Sequence, residues 1–245
     1  MLASARFANH AAHLGSIPCP GRGIIIGLTP SQCHYVQVYW IMGRSENSRN
    51  RIFKQEGTSV VNEAYDPAKM TDPSLIIYRP IMEEGPYHIV TNGDQTDTIV
   101  KGLKTGVSFE TSLLAREYEP DPPHYTPRIS GVIDMNHRNY TLSILKTANQ
   151  QPGLCIRNFY KYDRFTPGTG HCIHTYAREE DGVLLTYAGE PYELPLPETI
   201  EESLSYYWSL LDEHNRVSLL VKHIDARTGA AKLGIINKHE TGVEK

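Results

Sequence analysis

The chain has few cysteines, no long hydrophobic run and no surplus of positive charge. Its 245 residues contain four cysteines and no CxxC pair, so a fold held by disulfides is not expected. No stretch of sequence approaches the roughly 18 apolar residues of a membrane-spanning helix. The formal net charge of −4 argues against a nucleic-acid-binding protein, which usually carries a basic surplus. These absences predict a cytoplasmic globular protein that binds neither membranes nor nucleic acids.

Two common enzyme motifs are also missing: a glycine-rich phosphate loop and a G-x-S-x-G nucleophile elbow. Tyrosine, in contrast, is abundant, with fifteen residues against five phenylalanines. Tyrosine combines apolar area with a hydroxyl group, which suits polar pockets and subunit contacts. A homo-oligomer is therefore expected.

Short apolar runs separated by turn residues predict a protein rich in strands. Residues 24–28 and 35–42 are predicted to form an antiparallel pair, and residues 75–78 a short strand that ends before Pro80. Helices are predicted over residues 108–118 and 199–214. Hairpin-type connections and few helices favour the α+β class, with two stacked antiparallel sheets and helices on their outer faces.

The segment from residue 42 to residue 51 combines three arginines, two serines and two asparagines directly after an apolar strand. The arginine side chain presents a planar fork of N–H donors that fits phosphate and carboxylate oxygens. An anion site and a solvated, charged turn are about equally good interpretations of this segment alone. Because the chain is acidic overall, a local basic cluster favours a small anionic ligand over a polymer.

Two further polar segments follow apolar runs. Residues 92–97 begin with Asn92-Gly93, which indicates either a hairpin turn or amide and carboxylate contacts to a polar ring or ribose. Residues 119–131 contain four prolines, which hold the side chains between them in a stiff arrangement. Stiffness is what a reacting site requires, but a structural crossover between a helix and a strand explains the prolines equally well.

Two other features have a functional and a structural interpretation. Tyr78 follows three apolar residues, so its hydroxyl could donate to a reacting carbonyl, although a core position is the more common one for tyrosine. His171, Cys172 and His174 invite comparison with a metal site. On a strand the two histidines face opposite sides, so no metal site is predicted.

Taken together, these segments resemble the archaeal-type IMP cyclohydrolase family and its bacterial relatives. The matching motifs, in chain order, are Gly21-Arg22, Arg44-Ser45 with Asn50-Arg51, Tyr78, Asn92-Gly93 with Thr96-Asp97, and Tyr118-Glu119 with Tyr125-Thr126-Pro127-Arg128-Ile129. The resemblance covers roughly residues 20–135 and is weaker beyond them. The chain departs from the pattern in an N-terminal extension, residues 1–19, and in a longer insertion between Ser45 and Asn50. Residues 20–245 are thus expected to form a single domain, and the second arginine role falls to Arg49 or Arg51.

The resemblance implies a four-layer αββα sandwich similar to that of the N-terminal-nucleophile hydrolases. It also implies the final step of purine synthesis, in which 5-formamidoimidazole-4-carboxamide ribotide closes its ring to inosine monophosphate (IMP) and loses water. That reaction requires no metal and no cofactor. The implied partner is a small-molecule purine ribotide.

The resemblance further implies roles for individual residues. The phosphate or the formyl oxygen would be held by Arg22, Arg44, Ser45, Asn50 and either Arg49 or Arg51. Tyr78 would donate to the developing oxyanion, with Arg44 beside it as a catalytic group, and Glu119 would accept from the carboxamide and act as a base. The base and the ribose would be oriented by Asn92, Asp94, Thr96 and Arg128.

Two other functions compete with this one. Cys19 lies just before the first predicted strand, where it would become an N-terminal nucleophile if an eighteen-residue leader were removed. The chain would then be an amidohydrolase. A nucleotide-binding module without catalysis is the third interpretation.

Overall fold

A six-stranded antiparallel sheet forms one half of the fold. The computed structural model describes residues 2–70, 73, 75–149 and 151–240, with side chains from residue 5 onward. The strands of this sheet are β1 (Arg22–Leu28), β2 (His34–Met42), β10 (Thr169–His174), β13 (Tyr192–Pro195), β14 (Arg216–Asp225) and β15 (Ala231–Asn237). Their spatial order is β13, β10, β1, β2, β14, β15. The predicted pairing of the first two strands is confirmed, since Arg22 lies opposite Ile41 and Leu28 opposite Tyr35.

A seven-stranded antiparallel sheet forms the other half. Its strands are β3 (Ile52–Glu56), β4 (Ser59–Glu63), β5 (Tyr78–Glu84), β6 (Tyr87–Thr91), β7 (Arg128–Asp134), β8 (Asn139–Ala148) and β9 (Gln151–Tyr162). They lie side by side in chain order. A separate two-stranded ribbon consists of β11 (Tyr176–Glu180) and β12 (Val183–Thr186).

Five α-helices accompany the sheets in the described part of the chain. They are α1 (Leu2–Ser16), α2 (Glu46–Arg49), α3 (Gln95–Lys104), α4 (Phe109–Leu113) and α5 (Ile200–Leu210), and 3-10 turns occur at Pro67–Lys69 and Lys238–Glu240. Side chains at N-cap positions explain where several of them begin. Ser108 and Thr199 each accept a hydrogen bond from a backbone N–H of the first turn, which satisfies a donor that the helix itself cannot. None of the described helices is both long enough and apolar enough to cross a membrane.

Apolar side chains alternate between the two faces of the sheets. In β1, Ile24 and Ile26 point to the core between the sheets, while Ile25 points to the core beneath α1 and α5. The seven-stranded sheet buries its outer face against α3 and α4, where Ile99 and Leu113 pack. Each sheet is therefore covered by the other sheet on one face and by helices on the other. The predicted α+β class with antiparallel sheets agrees with this arrangement.

The prediction of a strand over residues 75–78 was wrong. Strand β5 begins at Tyr78 and continues through Pro80, the residue expected to end it. The register explains why proline is tolerated, because Val60 pairs with Ile81 and Asn62 pairs with Tyr78. Two residues of β5 thus lie opposite one residue of β4, and in such a bulge the missing N–H of proline costs no regular ladder bond.

The ends of helices were predicted less well than their starts. The helix expected over residues 108–118 ends at Leu113, although Ser108 caps it as predicted. Helix α3 was not predicted, because Asn92-Gly93 was interpreted as a hairpin turn. Its apolar residues Ile99, Val100 and Leu103 recur at helical spacing and were the available signal. The sequence also predicts a turn or a helix start at Asp72-Pro73, which lies partly outside the described residues.

Candidate active site

A cavity of about 250 Å³ opens where β1 begins and β2 ends. It lies at one end of the apolar layer between the sheets. Its walls are formed by Cys19, Gly21, Arg22, Met42, Gly43, Arg44, Ser45, Ser48, Arg51, Asp121, His124, Thr126, Tyr176 and Leu184. Three of these residues are arginines, so the cavity is suited to an anion.

The arginine-rich segment reaches this cavity because it folds into the short helix α2. The hydroxyl of Ser45 accepts from the backbone N–H of Ser48, and the hydroxyl of Ser48 accepts from the N–H of Ser45. Gly43 is required by this turn, since a Cβ atom there would lie 2.6 Å from the carbonyl oxygen of Ser48. Arg44 and Arg51 flank the helix and line the cavity.

Arg51 is buried without a counter-ion. The residue is 3% exposed, and its Nε donates to the carbonyl oxygen of Ser48 at 2.7 Å. No carboxylate of the described chain lies within ion-pair distance of its guanidinium group. Burial lowers the pKa of Arg51, and the neighbouring Tyr78 opposes that shift. A buried cation that lacks a partner is costly, so this position favours an anionic ligand.

The other two arginines of the segment are not buried. Arg44 donates to Glu179 of β11 at 2.6 Å, and about a third of its side chain is exposed. Arg49 donates to the carbonyl oxygen of Gly43 and to Asn215, and it lines a different cavity. Arg44 and Arg51, rather than Arg49, therefore reach the candidate site.

Arg22 and Glu119 form a buried ion pair at the floor of the cavity. One nitrogen of Arg22, Nη2, lies 2.7 Å and 2.8 Å from the two carboxylate oxygens of Glu119. Burial alone would lower the pKa of Arg22, but Glu119 raises it, so the guanidinium group stays charged. Both oxygens of Glu119 are thus occupied, and its carboxylate is not on the cavity wall.

Tyr78 lies behind the arginines, in contact with Tyr39. Their hydroxyl oxygens are 2.7 Å apart, and both residues are buried. Burial raises the pKa of Tyr78, while the nearby charges of Arg22 and Arg51 act to lower it. The phenol is therefore a neutral donor in the field of two cations.

The remaining predicted site residues are engaged in hydrogen bonds that organise the backbone. Asn92 accepts from the N–H of Ile129 at 2.8 Å and donates to the carbonyl of Pro127, which joins the end of β6 to the start of β7. Thr96 donates to the carbonyl of Arg79 at 2.7 Å. Asn50 exchanges two hydrogen bonds with the backbone of Asp66.

Asp94 and Arg128 form a second ion pair beside the cavity. Asp94 lies 2.6 Å from Arg128 and 2.5 Å from Arg116, and it is half-exposed. Arg128 also donates to Gln95 at 2.9 Å. Together with Asn92 and Thr96 they support the loop that carries Glu119, and they do not line the cavity.

Several residues of the cavity wall were not among the predicted site residues. Asp121, His124 and Thr126 come from the proline-containing loop, whose stiffness was noted in the sequence. Tyr176 comes from β11, fifty residues further along the chain. No sequence pattern links it to the loop, because the contact between them is purely tertiary.

Cys19 lies in the cavity wall, but its surroundings do not favour a nucleophile. Burial raises the pKa of its thiol, although Arg44, Arg22 and Arg51 act to lower it, so the thiolate is disfavoured. The preceding helix α1 packs on the six-stranded sheet through Ala11 and Leu14. Removal of a leader would thus expose part of the outer core.

His171 and His174 lie on opposite faces of β10. The Nδ1 atom of His171 is 2.6 Å from the hydroxyl of Tyr140, and that of His174 is 2.9 Å from the carbonyl oxygen of Tyr176. The predicted separation of the two side chains is confirmed by these contacts.

Comparison with known proteins identifies relatives of the chain. Residues 19–229 match the model of a family described as IMP cyclohydrolase-like protein. An IMP cyclohydrolase of Methanopyrus kandleri is 34% identical over 103 residues, which are 40% of this chain and 50% of that protein. One of Methanothrix thermoacetophila is 33% identical over 93 residues, which are 36% of this chain and 46% of that protein. The chain thus spans about half the length of the curated relatives it matches.

Proposed function

The chain belongs to the IMP cyclohydrolase-like protein family, and from this premise we propose that it converts 5-formamidoimidazole-4-carboxamide ribotide to IMP. Burial of Arg51 without a counter-ion in the cavity wall is the observation that carries the proposal. The ribotide phosphate supplies the negative charge that this guanidinium lacks. Two relatives that are IMP cyclohydrolases support the same activity.

The phosphate binds at the helix α2 side of the cavity. Arg51 and Arg44 offer planar N–H forks, and the serine pair at the start of α2 lies between them on the wall. Arg44 is held by Glu179 and is partly exposed, so it acts at the rim, whereas Arg51 acts at the floor.

Ring closure makes two demands on the residues around the reacting groups. The carboxamide nitrogen is a weak nucleophile, so the two reacting groups must be held close together. The formyl oxygen gains negative charge when the nitrogen attacks its carbon, and it needs a donor. Arg22, on the cavity wall, supplies positive charge for this oxygen. We assign the hydrogen bond to the neutral phenol of Tyr78, which lies behind the wall and which burial keeps protonated.

Glu119 receives a different role from the one expected from the sequence. Both of its oxygens accept from Arg22, so it positions that guanidinium and balances its charge. Glu119 does not line the cavity, so it is poorly placed to accept a substrate proton. The proton acceptor must therefore be another group of the wall.

The direct test is ultraviolet monitoring of IMP formation from the formamido ribotide, with a reaction lacking protein as the control. Catalysed formation of IMP supports the proposal. Binding of the ribotide without turnover would instead identify a nucleotide-binding module, and absence of both would overturn the proposal. Intact mass tests the amidohydrolase alternative, because that enzyme would begin at Cys19.

Three further predictions belong to this proposal. A homo-oligomer is proposed from the abundance of tyrosine, and a cytoplasmic location from the biosynthetic reaction. A likeness to the N-terminal-nucleophile hydrolases is proposed from the stacked sheets and from the position of Cys19 ahead of β1.

A further inference from the structure

Three side chains in the cavity wall form a continuous chain of hydrogen bonds. The hydroxyl of Thr126 contacts the carboxylate of Asp121 on one side and the hydroxyl of Tyr176 on the other. The backbone N–H of Thr126 also donates to Asp121 at 2.6 Å. All three residues line the cavity, yet the proposed function has so far given them no part.

The direction of each hydrogen bond follows from the number of protons available. An ionised carboxylate only accepts, so the single hydroxyl proton of Thr126 goes to Asp121. The contact between the two hydroxyl groups must then use the proton of Tyr176. The chain therefore runs from Tyr176 through Thr126 to Asp121, and the tyrosine oxygen keeps a lone pair for a donor in the cavity.

The surrounding structure holds this chain in place. Tyr176 lies at the start of β11, where its N–H donates to the carbonyl of Pro20, and its ring packs against Gly21. Pro120, Pro122 and Pro123 restrict the backbone of the loop that carries Asp121. Thr126 is 2% exposed, so bulk water does not compete for its hydroxyl.

Two of the other titratable groups are less suited to accept a proton. Glu119 is paired with Arg22 and does not line the cavity, and burial disfavours the Cys19 thiolate. The imidazole of His124 lies on the wall, but its Nδ1 atom is buried and has no hydrogen-bond partner among the described residues. His124 is thus the rival acceptor that a test must separate from the chain.

We propose that Tyr176, Thr126 and Asp121 form the proton relay of the ring closure, which makes this inference dependent on the proposed function. As the carboxamide nitrogen attacks the formyl carbon, the new C–N bond forms and the formyl C=O π electrons move to oxygen. The proton leaving the nitrogen passes to Tyr176, the tyrosine proton to Thr126, and the threonine proton to Asp121.

The same relay serves the dehydration that follows. The proton on Asp121 returns along the chain to the oxygen of the adduct. The C–O bond then breaks, the lone pair of the formamido nitrogen forms the C=N bond, and the proton of that nitrogen completes the departing water. Tyr176 is the catalytic residue because it contacts the substrate, whereas Thr126 and Asp121 act through it.

The test is the substitution Thr126→Val, which removes the hydroxyl and keeps a similar shape. We expect kcat to fall about 100-fold, the lower end of the usual effect of losing general acid–base catalysis, with KM changed less than threefold. Thr126→Ser should restore kcat to within a few-fold of the wild-type value. Thr147→Val is the matched control, because Thr147 is also 2% exposed but lies outside the cavity.

Non-additivity gives a second, independent measurement. Tyr176→Phe and Asp121→Asn should each lower kcat, and combining either with Thr126→Val should lower it little further, because one relay is already broken. Circular dichroism and thermal melting identify any variant that fails to fold. If Thr126→Val does not fold, Tyr176→Phe and Asp121→Asn carry the comparison, and unchanged kcat in both would overturn the relay.

The outcomes separate the two proposals. A wild-type chain that does not form IMP overturns both of them. A wild-type chain that forms IMP while Thr126→Val keeps its kcat overturns the relay alone. Loss of kcat in His124→Gln with full activity in Thr126→Val would assign the proton transfer to the histidine.

Discussion

Two clusters of buried polar side chains interrupt the apolar layer between the sheets, and only one of them has an unbalanced charge. At the cavity, Arg22 is paired with Glu119, whereas Arg51 has no carboxylate partner among the described residues. Further along the same strands, Lys222 lies 2.6 Å from Glu83. Tyr78 opens β5 and Glu83 is five residues later, so the clusters are separated by about 16 Å along that strand.

In the second cluster, the buried charges are balanced within the protein. Lys222 is fully buried on β14, and Gln37, its neighbour on β2, donates to the backbone carbonyl of His88. Burial would raise the pKa of Glu83, but the neighbouring His88 and Lys222 lower it to about 2. One cation and one anion therefore compensate each other without a ligand.

Cavity size does not distinguish the two clusters. The cavity beside Glu83 and His88 has a volume of about 350 Å³, which is larger than the 250 Å³ of the candidate site. The guanidinium group of Arg51 does distinguish them, because it is a buried charge with no carboxylate partner among the described residues. Residual charge is thus the better indicator of where an anionic ligand binds.

The largest effect is expected when the unpaired charge is removed. Arg51→Met should lower kcat/KM for the ribotide about 1000-fold, equivalent to about 4 kcal/mol, because a buried charge-assisted contact is lost. The unfolding free energy should stay the same or rise, since the free protein no longer buries an unpaired cation. Steady-state kinetics and chemical denaturation measure the two quantities.

Arg138→Met is the matched control at the other end of the layer, where Arg138 is exposed in the β7–β8 turn. It should leave kcat/KM unchanged. Equal losses in the two variants would show that general surface charge, and not Arg51, attracts the substrate.

The next largest effect compares the two carboxylates. Glu119→Gln and Glu83→Gln each leave a buried cation without its partner, so each should lower the unfolding free energy by about 3 kcal/mol. Only Glu119→Gln should also lower kcat, because Glu119 positions Arg22 at the cavity floor. Denaturant titrations and kinetics on both variants provide the measurement, and a loss of kcat in Glu83→Gln would contradict the comparison.

Removing the phenolic hydroxyl behind the arginines should act on turnover. Tyr78→Phe is expected to lower kcat about 100-fold, as loss of one donor to an oxyanion usually does, with a smaller change in KM. Tyr207→Phe is the control, since Tyr207 is equally buried but donates to Pro195 beneath α5. Unchanged turnover in Tyr78→Phe would remove its catalytic role.

The smallest effect concerns the stability of the protein in acid, through the ion pair between Glu83 and Lys222. The pKa of Glu83 is lower in the folded protein than its ordinary value of 4.5, so its contribution is present above pH 4.5 and is lost as the pH falls towards 2. The difference in Tm between wild type and Glu83→Gln should therefore shrink over this interval. A Tm difference that stays constant down to pH 2 would show that the ionised Glu83 carboxylate does not stabilise the folded protein through Lys222.

The fold class and the arginine site were accessible from sequence for a simple reason. Apolar periodicity reports which face of a strand is buried, and it identified β1 and β2 correctly. Arg44 and Arg51 were recognisable because an arginine cluster after a buried strand is unusual in an acidic chain, whereas Arg22 was expected from the family resemblance. The bulge that admits Pro80 into β5 was not recognisable, because it depends on the register with β4. Helix α3 was missed although its apolar spacing was visible in the sequence.

The sequence did not show whether polar residues at strand ends contact a ligand or the backbone. Asn92, Thr96 and Asn50 were expected at a ligand, and the structure places them in hydrogen bonds to backbone atoms. A short polar side chain looks the same in sequence whether its partner is a main-chain group or a ligand. Tyr176 was missed for the converse reason, since nothing near it in sequence marks its contact with Thr126.

The amino-acid sequence by itself determined the α+β class, the antiparallel sheets and a basic cluster suited to a small anion, because these follow from local periodicity and composition. Only the tertiary structure decided which of the three clustered arginines is buried in the cavity wall with no carboxylate partner among the described residues, that Glu119 is paired with Arg22, and that the hydroxyl of Tyr176 contacts Thr126 of the proline-containing loop. The physical reason is that pairing and burial are properties of groups brought together from distant parts of the chain, and a charge becomes available to a ligand only when none of those groups neutralises it.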